Sequence, residues 1–221
     1  MDRFAHVLPF GSVHPFLPPM MRSRSLDASM AVFGAATLAI VLTLTWALAA
    51  DVADALTRNT IRLALAWYAA ALGLMIWLRA ADWRADTSRG ALARWCWTWA
   101  VVTFWIHLGM AFHYFHHWSH AHAFEHTREE SGFGEGIFVS YLFTALWTAD
   151  AIAWWLWPVR YAERPAAIDR CLHAFMLFIV FNGTVVYESG PIRYASAGVF
   201  SALALLWLRA RTPSPSGRGP G

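Results

Sequence analysis

Residues 28–50 read ASMAVFGAATLAIVLTLTWALAA, a run of 23 residues without a charged side chain. A helix rises about 1.5 Å per residue, so about 20 apolar residues cross the hydrocarbon core of a bilayer. The run ends in Ala47-Leu48-Ala49, which also fits a signal-peptide cleavage site. Its apolar part is longer than that of ordinary signal peptides, so we interpret it as an uncleaved first transmembrane helix.

The rest of the chain repeats this pattern. The sequence is 58% hydrophobic and 14% charged, whereas charged residues make up about 25% of an average soluble protein. Further apolar runs lie at residues 63–78, 95–112, 137–157, 171–187 and 194–208, the last only 15 residues long. The sequence therefore predicts an all-α integral membrane protein with about six transmembrane helices, or five if the first is a cleaved signal.

The two ends of the chain differ from the middle. Residues 1–27 contain four prolines and are predicted to be irregular, whereas residues 28–209 form the membrane domain. Residues 210–221 are rich in Pro, Gly and Ser, which predicts a disordered tail. Within the domain, the glycines of residues 131–136 (SGFGEG) predict a loop that ends a helix.

Arginine, which supplies all 17 basic residues, predicts the orientation. With both termini in the cytoplasm, 13 arginines lie on the cytoplasmic side and 4 on the other side. Short cytoplasmic loops carry an excess of Lys and Arg, so we expect this orientation in a bacterial inner membrane. No basic stripe with interleaved aromatic residues is present, so no nucleic-acid partner is expected.

Residues 107–130 read HLGMAFHYFHHWSHAHAFEHTREE and hold seven of the ten histidines. The predicted orientation places this segment at the outer, periplasmic face. On a helix, His113, His116, His117 and His120 share one sector, and residues 122–129 offer a second ligand face. A break near residues 119–121 would fold one face onto the other. Neutral imidazole is the commonest metal ligand, so we predict a transition-metal site. The predicted ligands are His113, His116, His117, His120, His122 and His126.

Two motifs lie inside this segment. His113-Tyr-Phe-His116-His117 resembles one histidine box of the membrane fatty-acid desaturases and hydroxylases, whose boxes hold two irons that activate O₂. The chain has no second HxxHH, and its box is expected outside rather than in the cytoplasm, so the resemblance ends at five residues. His122-Ala-Phe-Glu125-His126 matches the inverted zinc-protease motif HxxEH, in which Glu125 would activate a metal-bound water and Glu188 is a candidate third ligand.

Three ionisable residues lie inside predicted spans. Asp150 and His173 both fall in the cytoplasmic half of the membrane, so we expect them to meet; intramembrane ionisable groups mark functional sites, although a structural hydrogen bond is the alternative. His107 lies in the outer half of the third span. It is a candidate axial ligand for haem or a pigment, with a hydrogen-bonded core histidine as the alternative.

Two classes of function remain open. The first is a membrane metalloenzyme, with Fe or Cu carrying out redox chemistry on a lipid or another membrane-soluble substrate, and with catalytic roles for Glu125, Asp150 and His173. Zinc-dependent hydrolysis through HxxEH is a variant of it. The second is a non-catalytic protein that handles metal, or a haem- or pigment-binding subunit that packs against other membrane subunits. Membrane lipids are expected partners in both.

Overall fold

The computed structural model describes residues 20–212, and side chains from Ser25 onward. Within that range the chain is helical and contains no strand. A short 3₁₀ turn, Asp82–Arg84, precedes α3, and a π-helical turn, Asn182–Val186, continues α7. The eight α-helices are α1 (Met20–Leu48), α2 (Val52–Met75), α3 (Ser88–Tyr114), α4 (His120–Ser131), α5 (Gly136–Leu156), α6 (Pro158–Ala162), α7 (Ala166–Phe181) and α8 (Pro191–Arg211).

Five of these helical segments are long and apolar enough to cross a membrane: Ser25–Leu48, Ser88–Tyr114, Gly136–Leu156, Ala166–Val186 and Pro191–Arg211. Large apolar side chains on these segments are exposed, as expected of surfaces that face lipid. The chain is therefore an all-α, multi-pass membrane protein. The predicted second span lies in α2, which has 24 residues but carries three charged residues, Asp54, Arg58 and Arg62, in its first half.

Three helices begin before the predicted spans: α2 at Val52 rather than 63, α3 at Ser88 rather than 95, and α7 at Ala166 rather than 171. Two further differences lie towards the ends of the chain. α1 begins at Met20, inside the segment predicted to be irregular, while residues 1–19 lie outside the described range. α8 contains 21 residues rather than the predicted 15, because Arg193, Arg209 and Arg211 belong to the helix. The last span is therefore long enough to cross a bilayer. The predicted tail begins within α8, and residues 213–221 lie outside the described range.

Local chemistry explains where several helices begin and end. Asp51, Thr87 and Ser119 precede α2, α3 and α4, and each side chain accepts a hydrogen bond from a backbone N–H of the first turn. Such caps satisfy donors that have no partner inside the helix. Gly132 has φ 76°, a left-handed conformation that suits glycine, and it ends α4 as the glycine-rich loop predicted.

The core of the bundle is aromatic. Trp97 of α3 and Trp154 of α5 are completely buried. Trp97 packs against Tyr68 of α2 and Trp147 of α5, with ring centroids 5.6 and 5.5 Å apart. Offset and edge-to-face aromatic pairs stabilise such a core beyond simple burial. α2, α3, α5 and α7 surround this core, whereas no residue of α8 is buried.

Candidate metal and ligand sites

The His-rich segment does not form one continuous helix. α3 ends at Tyr114, and residues 115–119 turn the chain before α4 begins at His120. His117 and Trp118 have φ values of 49° and 57°, so two successive residues other than glycine are left-handed. Each such residue costs on the order of 1–3 kcal/mol and persists only where its surroundings impose it. The break lies a few residues before the predicted position, and it does bring the two predicted ligand faces together.

The turn pairs histidines from α4 with histidines that precede it. The ring centroids of His116 and His126 are 5.3 Å apart, and those of His117 and His122 are 6.1 Å apart. Two imidazoles on one tetrahedral ion have ring centres about 5 Å apart, given metal–nitrogen bonds of about 2.0–2.1 Å. In residues 20–212, however, no three His, Cys, Asp or Glu side chains are close enough together to hold a metal ion.

The electrostatics of His116 connect the two pairs. Burial lowers the pKa of His116, and the neighbouring His126, His122 and His117 lower it further. The other three imidazoles therefore lie within electrostatic range of His116. A lowered pKa keeps the ring neutral, with a free lone pair, in mildly acidic solution.

The other histidines of the segment have different neighbours. His113 packs on Tyr114, with ring centroids 4.7 Å apart. His120 Nδ1 lies 2.9 Å from the Tyr141 hydroxyl on α5, a hydrogen bond that ties α4 to the bundle. The structure thus separates the six predicted metal ligands into two pairs, His116 with His126 and His117 with His122, and two individual residues.

The carboxylates of the HxxEH hypothesis lie elsewhere. Glu125 forms a 2.5 Å ion pair with Arg128 on the exposed side of α4. The Glu188 carboxylate accepts a hydrogen bond from the backbone N–H of Ser189 in its own loop, and it lies within electrostatic range of Arg58. A zinc-peptidase mechanism needs a free carboxylate beside a metal-bound water, so both side chains would have to leave their present partners.

Asp150 belongs to a buried polar network at the end of α5 remote from α4. Its carboxylate accepts hydrogen bonds from the indole N–H of Trp97 (2.9 Å) and the hydroxyl of Tyr161 (3.0 Å), and it forms an ion pair with Arg164. Arg164 also donates to Asp169 of α7 (2.6 Å) and lies over the Tyr161 ring. Burial and the Asp150 charge raise the pKa of Tyr161, so its hydroxyl remains protonated and donates.

Asp150 and His173 share a neighbour rather than a hydrogen bond. Trp97 donates to Asp150, while the His173 ring packs edge-on against Trp97 with centroids 5.6 Å apart. His173 Nδ1 is buried and has no hydrogen-bond partner among the described residues. The sequence interpretation missed Arg164, Tyr161 and Asp169. The signal in the sequence was an arginine seven residues before a predicted span that contains a histidine, but it was interpreted only as an indicator of orientation.

His107 lines a half-open cavity of about 250 Å³ bounded by α2, α3, α5 and the end of α7. Its Nδ1 lies 3.0 Å from the backbone carbonyl oxygen of Thr57. A carbonyl oxygen only accepts, so Nδ1 carries the proton and neutral His107 keeps its lone pair on Nε2. The second nitrogen of a metal-binding histidine is usually fixed by the same kind of hydrogen bond. The geometry of His107 is therefore compatible both with an axial ligand for haem or a pigment and with a hydrogen-bonded core histidine.

The fold and these sites define a class, a helical multi-pass membrane protein with a His-rich turn at one end and a buried ionic network at the other. No family model, no curated protein and no solved structure matches this chain.

Proposed function

We propose that this chain is a multi-pass protein of the bacterial inner membrane that binds a transition-metal ion at its periplasmic face. The proposed ligands are His116 and His117, from the turn after α3, and His122 and His126, from α4. The observation that carries the proposal is the left-handed turn, which brings each early histidine to within ring-contact distance of a later one.

The four imidazoles suit this role chemically. Imidazole nitrogens are borderline ligands, which fits iron, copper or zinc. His117, His122 and His126 are exposed and His116 is half-buried, so an ion has access to the site. A rotation of side chains about the two existing pairs would bring the nitrogens to one ion, as expected for a metal that orders its own ligands.

For the reaction, we propose redox chemistry with Fe or Cu on a membrane-soluble substrate. The nitrogen-only ligand set and the Glu125–Arg128 ion pair favour redox chemistry over hydrolysis through HxxEH. The alternative is metal handling without catalysis, in association with another membrane subunit. The surface of α8, of which no residue is buried, is available to lipids or to such a subunit.

The test is metal content in matched histidine variants. Purified full-length protein is loaded with Fe, Cu or Zn, desalted and analysed by mass spectrometry for bound metal. We expect His117→Ala and His126→Ala to lower affinity by at least about 100-fold, because each ligand holds the ion for the others. His113→Ala and His120→Ala serve as controls from the same segment and should retain the metal, since their rings have other partners.

Several results would count against this proposal. Wild-type protein that retains none of the three metals would remove it, and equal losses in all four variants would move the ligands elsewhere. The identity of the metal separates the alternatives: stoichiometric iron or copper that can be reduced and reoxidised supports redox chemistry, whereas zinc alone supports hydrolysis or a structural role.

A further inference from the structure

The cavity at His107 adjoins a second space. An apolar cleft of about 340 Å³ lies between α2, α8 and the π-helical turn, and it has Arg62 at its border. Leu65, Val180 and Thr184 line both spaces and form their common wall. The cleft borders α8, the helix that packs least tightly in the bundle, so it is accessible from the lipid.

The π-helical turn shapes this wall. Residues 182–186 contain more residues per turn than an α-helix, and such segments occur often at functional sites. Gly183 lies in the turn and lines the cavity, and a Cβ atom added there would meet nothing within 4 Å. The widened turn and the missing side chain together leave room for a ligand rather than for packing.

The size of the cavity limits the ligand. A cavity of about 150 Å³ lined by apolar side chains is enough to bind benzene. At about 250 Å³, the His107 cavity has room for one substituted ring. Phe104, Phe143 and Trp147 line it, and aromatic side chains pack well against a flat ring.

The polar groups of the cavity indicate which polar substituent a bound ring would carry. His107 presents the Nε2 lone pair, because its Nδ1–H is used by Thr57. The hydroxyls of Ser140 and Thr184 donate to backbone carbonyls of their own helices, at 3.4 and 2.7 Å, and so they also present lone pairs. The lone pair on His107 Nε2 favours a ligand that donates, since a ligand carbonyl would leave it without a partner.

We infer that this cavity binds a hydroxylated aromatic ring with an apolar tail, as in a membrane-soluble hydroquinone. The ring hydroxyl donates to His107 Nε2, and the tail leaves through the cleft between α2 and α8. This site does not depend on the metal ion proposed at α4.

Binding is measured on the purified full chain in detergent, under anaerobic conditions, by quenching of tryptophan fluorescence. The probes are decyl-hydroquinone, the corresponding decyl-quinone and hemin. We expect saturable binding of the hydroquinone, and binding of the quinone that is at least about tenfold weaker. His107→Leu should weaken binding of the hydroquinone by at least about tenfold, in line with one lost hydrogen bond.

Two glycine variants provide the matched comparison. Gly183→Leu should fill the cavity and abolish saturable quenching, and its residual signal measures partition into the micelle. Gly198→Leu makes the same change on the exposed surface of α8, also in open space, and should bind like wild type. Thermal melting of each variant confirms that it is folded.

The inference fails if quenching is the same in all variants, because the probe then partitions without a site. It also fails if the quinone binds as tightly as the hydroquinone, which would contradict a hydrogen bond donated to His107 Nε2. A 1:1 hemin complex whose Soret band is lost in His107→Leu would replace it with a porphyrin site. None of these results bears on metal binding by the four histidines.

Discussion

Arg164 connects three helices through the buried polar network around Asp150. Its side chain is 13% exposed, and it contacts Asp150, Tyr161 and Asp169, which belong to α5, α6 and α7. An ion pair taken out of water gains stability only when its remaining donors and acceptors are satisfied. Here Trp97 and Tyr161 satisfy the second oxygen of Asp150. The pair therefore fixes the geometry in which α5 turns back into α7.

Removal of Arg164 should leave Asp150 as a buried charge without a counterion. We predict that Arg164→Ala lowers the free energy of unfolding by about 3–5 kcal/mol, measured by denaturant unfolding in mixed micelles. Arg160→Ala, an exposed arginine four residues earlier, is the control and should change it by less than about 0.5 kcal/mol. Equal effects of the two changes would show that the ion pair carries no net stability.

The double change tests the same network from the other direction. Asp150→Leu with Arg164→Leu removes both charges, and we predict that it is less harmful than Arg164→Ala alone, because no unpaired charge remains in the core. Thermal unfolding of the three proteins in one detergent gives the comparison. A double variant less stable than the single variant would show that the charges are required beyond mutual neutralisation.

At the scale of single elements, α4 is the helix whose stability depends on histidine protonation. His116 packs against His126, and its pKa is lowered mainly by burial and further by the three neighbouring imidazoles. An unfolded histidine takes up a proton near pH 6.5. As the pH falls below that value, the opened segment binds a proton that folded His116 does not, so stability is present above it and is lost below it.

We therefore predict that α4 opens more readily in acid. Amide hydrogen exchange in α4, corrected for the intrinsic pH dependence, should be faster at pH 5 than at pH 7.5, while exchange in α5 should not change. His116→Gln should reduce the difference, because the group with the lowered pKa is removed. A pH effect that survives in His116→Gln would assign it to Glu125, Glu129 or the exposed histidines instead.

At the scale of the whole molecule, the arginine count makes a prediction of topology. A reporter inserted after Gly132 should be periplasmic, and a reporter fused after Gly221 should be cytoplasmic. The reason is the excess of arginines in the segments predicted to be cytoplasmic, 13 against 4 on the other side. The opposite result at both positions would invert the protein and place the four histidines in the cytoplasm.

Composition and the spacing of apolar runs were sufficient for the helical membrane class, for the limits of α5 and for the end of α4 at Gly132. They were insufficient for Trp97. Tryptophan near the end of a span is typical of the membrane boundary, whereas Trp97 lies at the centre of the core and bridges Asp150 and His173. Similarly, the pairing of His116 with His126 depends on left-handed dihedrals at His117 and Trp118, which no periodicity encodes.

The π-helical turn has a consequence for chain length. Each residue advances a helix by about 100°, so the surplus residue of a π turn rotates everything beyond it by about that angle. Deletion of Gly183 would restore ordinary α-helical winding and shift the register of the segment that leads into α8. The wall shared by the two spaces would close. The wall between the two spaces therefore depends on the number of residues at that turn as well as on the side chains that line it.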